Sequence, residues 1–149
     1  MLSRRLFIGA ALATPFLARP AFAAADPVFS ARGLAIRGTD PVAYFDGNGP
    51  VAGDAAHAVM WMNATWHFAN ADNRAMFESD PAAFAPQYGG YCAYAVSKGY
   101  TASTDPEAWS IVDKKLYLNY SLSVRDIWTR DIPGNIAKGD ANWPAVLDA

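Results

Sequence analysis

The chain carries a single cysteine, Cys92. No internal disulfide can staple it, so its fold has to rest on buried apolar surface. The aromatic residues supply that surface. All 5 tryptophans and all 7 tyrosines lie beyond residue 23, and each buried ring removes a large apolar area from water. The sequence beyond residue 23 is long enough for one domain with its own core.

Residues 1–23 read as an export signal, with the domain occupying 24–149. Arg4 and Arg5 precede an apolar segment from Leu6 to Leu17, and Ala21-Phe22-Ala23 has the small-x-small pattern of a signal-peptidase site. Ser3-Arg4-Arg5-Leu6-Phe7 resembles the twin-arginine export motif. The apolar run falls short of the about 20 residues that span a bilayer, and Pro15 interrupts it. The expected location is the periplasm, with no stable membrane insertion after cleavage.

Cleavage would remove Arg4, Arg5 and Arg19 and no acid, so the whole-chain charge of −2 becomes −5. No basic run exceeds Lys114-Lys115. Nucleic acid and anionic lipid both need clustered Lys and Arg, so neither is an expected partner. A soluble acidic periplasmic domain is expected, with a metal-handling or redox protein as its partner.

The local signals predict a small antiparallel sheet of short strands with several short helices, an α+β domain. In Gly38-Thr39-Asp40-Pro41-Val42, Thr39 or Asp40 can cap a short helical piece with Pro41 in its first turn. Ala56–Trp61 and Ala64–Ala69 form a hairpin around Met62-Asn63, because Asn tolerates the left-handed backbone of a tight turn. That register puts Trp61 opposite Ala64 and His57 opposite Phe68. Asn70 caps a helix through Phe77, which Asp80-Pro81 ends while starting another turn through Phe84. Tyr91–Val96 is apolar and short, and its period fits strand or helix. Trp109–Val112 and Lys115–Tyr120 form a second hairpin around Asp113-Lys114. Ser121 or Ser123 caps a helix carrying Val124, Ile127 and Trp128, Pro133-Gly134 breaks it, and a last helix carries Ile136 and Ala137 towards Trp143.

These residues resemble a known family. Gly38-Thr39-Asp40-Pro41-Val42-Ala43-Tyr44-Phe45, Trp66-His67-Phe68-Ala69 and Phe84-Ala85-Pro86-Gln87-Tyr88-Gly89-Gly90-Tyr91-Cys92-Ala93 are similar to the YHS domain. Trp109-Ser110-Ile111-Val112-Asp113 and Leu116-Tyr117-Leu118-Asn119-Tyr120 extend the likeness. The chain resembles the exported, single-domain branch of YHS domain-containing (seleno)proteins over nearly all of residues 24–149. The resemblance implies metal binding, as inferred for related domains of heavy-metal transport ATPases. It also implies that the selenocysteine of some members falls at Cys92. Where those relatives carry further cysteines, this chain has Ala43, Ala69 and the stretch Asp72–Arg74, so a three- or four-ligand soft site is missing here.

Three roles stand open for Cys92. As a thiolate it would hold copper or another soft transition-metal ion, with His57, Met60 or Met62 as a further ligand. As a redox or nucleophilic thiol it would need a lowered pKa, yet no Arg or Lys lies within five residues. As a small apolar residue it would pack in a structural or binding module. No Ser-His-Asp triad, paired-carboxylate site or phosphate loop stands out, so an enzyme is not indicated.

Overall fold

The computed structural model describes residues 23–149. The twin-arginine pair Arg4 and Arg5, and Ala21 of the cleavage pattern, lie outside the described residues, which begin at the exposed Ala23. The chain forms the expected single α+β domain. Its main sheet joins β1 (Ser30–Ala31), β2 (Leu34–Ala35), β3 (Asp54–Trp61) and β4 (Ala64–Phe68) in the order β1-β2-β4-β3. One pairing departs from the antiparallel expectation: β2 runs parallel to β4, meeting it at Leu34–Thr65. The short segment holding β1 and β2 reaches the sheet edge from outside the hairpin, so its direction is not set by a hairpin turn.

The β3–β4 hairpin follows its turn chemistry. Met62 and Asn63 are both left-handed (φ 49° and 61°), as a two-residue turn requires. Trp61 then pairs with Ala64 and Val59 with Trp66. The register slips beyond Ala58–His67, and Asp54 rather than His57 faces Phe68. Asp54 Oδ1 accepts the Ala56 N–H at 2.8 Å, which curls the strand into a bulge carrying Ala55–His57. Gly53 permits the bend, since a Cβ there would lie 2.5 Å from the His67 backbone.

Helix α1 (Ala71–Ser79) starts where Asn70 Oδ1 accepts the Asn73 N–H, and α2 (Pro81–Phe84) starts at Asp80. The ambiguous apolar segment becomes helix α3 (Ala93–Ser97). A second hairpin pairs β5 (Trp109–Val112) with β6 (Lys115–Leu118), around left-handed Asp113 and Lys114. Ser121 caps α4 (Leu122–Trp128). Pro133-Gly134 does not break a helix but opens α5 (Ile132–Asn142). Proline lacks only an N–H that a first turn leaves unpaired, and Asp131 Oδ1 accepts the Gly134 N–H at 3.0 Å.

Strand β6 joins two cores through its alternation. Leu116 and Leu118 enter the larger one with Tyr44, Trp66, Phe68 and Phe77. Tyr117 enters the other with Tyr88, Val96 and Trp128. Truncating a fully buried ring such as Trp66 to Ala costs about 3–5 kcal/mol, so these rings take the stabilising place of a disulfide.

Asp40 ties the chain together locally. Its carboxylate is fully buried. It accepts the N–H groups of Val42 (2.8 Å), Ala43 (3.3 Å) and Ala69 (2.8 Å), and Nδ2 of Asn73 (2.8 Å). A buried charge is tolerated when hydrogen bonds saturate it. The Asp40-Pro41-Val42 turn is thereby fixed to the end of β4 and the first turn of α1.

Candidate functional site

Three segments converge on Cys92: the Gly89-Gly90 bend before it, α3 after it and the exit of β6. The bend requires its glycines. Gly89 has φ 62°, and a Cβ on it would run into the Pro27 carbonyl oxygen. Gly90 has φ 83°, and its Cβ would press on the Ile36 side chain. Thr104 donates its hydroxyl to the Gly90 carbonyl at 2.8 Å, and the Cys92 N–H reaches the Ala102 carbonyl at 3.0 Å. The backbone before and at Cys92 is thus tied to the stretch Thr101–Asp105.

Cys92 is 1 % exposed, and its sulfur is hydrogen-bonded on both sides. The Tyr120 N–H donates to Sγ at 3.2 Å, and the S–H points at Asn119 Oδ1 at 3.5 Å. That oxygen also accepts the Tyr94 N–H at 3.0 Å. The Tyr94 contact fixes the amide orientation, because turning the NH2 towards Tyr94 would oppose two donors. The atom facing the sulfur is therefore an acceptor, and a thiolate there would meet oxygen lone pairs. Asn119 Nδ2 is buried without a partner among the described residues.

Burial raises the Cys92 pKa above its ordinary value, while the N–H groups of Ala95, Tyr120 and Tyr94 pull it partly back. Desolvation wins because no cation faces the sulfur, whereas three amide dipoles offer only partial charges. Reactive cysteines sit in electropositive, partly open surroundings. This one does not.

A cavity of about 290 Å³ opens beside Cys92, lined by Cys92 with Tyr94, Tyr100, Ala102, Tyr120 and Val124, and by Ala95. No charged side chain lines it. Tyr100 and Tyr120 are more than half exposed and form its rim. Its size falls just below the range typical of small-molecule sites, about 300–1,000 Å³.

The other sequence candidates lie elsewhere. His57 sits half-buried in the β3 bulge and is neither a cavity wall nor a hydrogen-bond partner of Cys92. His67, on β4, packs by Gly38 and Gly53. Met60 is 69 % exposed, and Met62 borders a separate aromatic groove with Trp61 and Trp143. Among the described residues no three His, Cys, Asp or Glu side chains gather to hold a metal ion. A copper ion at Cys92 would find one thiol and tyrosine hydroxyls, with no second sulfur or imidazole in the cavity, so this donor set does not fit a soft metal. Asn119 and the tyrosine rim are what sequence reasoning missed as site residues. The Asn119–Cys92 pairing spans 27 positions and carries no local signal.

Comparison with protein-family models, with curated proteins and with solved structures finds no match for this chain. The likeness to the YHS domain rests on the residues quoted for it. Among the described residues no helix is long and apolar enough to cross a membrane.

Proposed function

We propose that the protein is an exported YHS-type binding module that takes a small, largely apolar ligand in the cavity beside Cys92. Cys92 lines the cavity and its thiol stays protonated, acting neither as a nucleophile nor as a metal ligand. The observation that carries this reading is the placement of Asn119 Oδ1, an acceptor, against the sulfur. It favours S–H over S⁻, and metal binding and redox attack both use the thiolate. The apolar, uncharged lining supports the ligand class.

The test uses toluene and indole as probes, followed by amide chemical shifts of the mature protein. Saturable shifts centred on Ala95, Ala102 and Tyr120 are expected, lost in Val124→Trp, which fills the cavity from the half-buried face of α4. Stoichiometric Cu(I) binding that disappears in Cys92→Ser would overturn the reading in favour of a metal module.

A further inference from the structure

A second cavity, of about 390 Å³, adjoins the first and differs from it in chemistry. It is lined by Arg37, Ser103, Thr104, Asp105, Pro106 and Tyr120. Tyr120 belongs to both cavities, and Ala102 of the first is followed directly by Ser103 of the second. Tyr120 and one stretch of chain therefore lie where an apolar and a polar compartment meet.

Two opposite charges lie in the polar compartment without bonding to each other. The ion pair found among the described residues is Arg74–Glu78, far along the chain from both. Arg37 is held by its own contacts. Its Nε donates to the Thr104 carbonyl at 2.9 Å, and its guanidinium carbon lies 5.6 Å from the Phe29 ring centroid. The terminal nitrogens are left as donors. Asp105 accepts the Glu107 N–H at Oδ1, at 2.9 Å, which leaves Oδ2 as an acceptor. Both charged groups are thus positioned by backbone contacts, and neither neutralises the other. A ligand bearing one charge would satisfy one of them and face the other as a like charge. A ligand bearing both would satisfy the two together.

We propose that the two cavities form one site for a free α-amino acid with an apolar side chain. This deepens the proposed function and rests on it for the apolar half. The ligand carboxylate meets the terminal nitrogens of Arg37 end-on, since Nε is already committed. The ammonium meets Asp105 Oδ2, and the side chain passes Tyr120 into the cavity beside Cys92. Charge-assisted hydrogen bonds of this kind carry more of the affinity than neutral ones.

The test is calorimetric titration of the mature protein with L-phenylalanine, N-acetyl-L-phenylalanine and L-phenylalaninamide, with toluene as the apolar reference. L-phenylalanine is expected to bind saturably. Removing either charge from the ligand should weaken binding at least about tenfold. Arg37→Gln and Asp105→Asn should each weaken L-phenylalanine by a similar factor while leaving toluene binding unchanged. The ligand series needs no variant, so it decides even if Arg37→Gln fails to fold. If toluene binds but all three phenylalanine derivatives bind equally, the amino-acid assignment is overturned and the apolar cavity stands. If neither toluene nor phenylalanine binds, both readings fall.

Discussion

The backbone N–H of Tyr120 donates to Sγ of Cys92 at 3.2 Å, and the proton of that sulfur points to Asn119 on the same strand exit. The thiol is thereby built into the junction between β6 and α3. Its ionisation is a cost to the fold, and the sign of that cost sets a pH dependence.

In the folded state the Cys92 pKa lies above that of the unfolded chain. The native state then holds a proton that the unfolded state releases, so its stabilising contribution is complete below the unfolded thiol pKa of about 8.5. It is lost as pH rises towards the folded value. Tyr44 and Tyr88 have pKa values raised first by burial, and for Tyr88 further by the Asp140 carboxylate, so they add losses of the same sign at higher pH. Urea denaturation at pH 7, 9 and 10 should show stability falling steadily. Cys92→Ala should remove the first part of that fall, and an unchanged pH slope in this variant would contradict the assignment.

Removing the buried Asp40 carboxylate should be costly. Asp40→Ala deletes four accepted hydrogen bonds and is expected to cost about 3–5 kcal/mol. Asn73→Ala loses one bond to the same oxygen and should cost about 1–2 kcal/mol. Equal costs for the two in chemical denaturation would show that the turn is not held by this carboxylate.

Two glycines with positive φ separate steric need from backbone preference. Gly89→Ala must push a methyl into the Pro27 carbonyl, and is expected to cost at least about 3 kcal/mol. Gly99 has φ 91° but open space around its Cβ position, so Gly99→Ala should cost only about 1–2 kcal/mol. Thermal or urea midpoints of the pair measure the difference directly.

Local chemistry made much of this fold legible. Met62-Asn63 announces its turn because Asn accepts positive φ, and Asn70 and Ser121 announce helices because their side-chain oxygens meet free N–H groups. Long-range contacts hid the rest. The β3 bulge depends on Gly53 closing on His67, fourteen positions along the chain. Tyr91–Val96 gave no decisive period, and its environment is set by Ala102 and Asn119. Pro133 is the exception, because its helix start is a local signal: Asp131, two positions before it, caps the first turn. For the site, Cys92 was visible as a lone thiol, but the oxygen that governs its protonation was not.

Export belongs to the proposed function and can be tested apart from the cavity. Arg4→Lys combined with Arg5→Lys should leave an uncleaved precursor in the cytoplasm, because the twin-arginine route reads the pair as such. Normal processing and periplasmic recovery of this variant in cell fractions would point to the general secretory route instead.

The most direct test of the account is the alkylation rate of Cys92 against pH, in the native protein and in urea. A buried, protonated thiol predicts native labelling by iodoacetamide at pH 7 at least about a hundredfold slower than in urea, since the reagent must wait for local opening. The native rate should rise only through an inflection above the ordinary thiol value of about 8.5. Rapid native labelling at pH 7 with an inflection below that value would mean a stabilised thiolate, and would contradict the assignment of Cys92 as a held, neutral thiol.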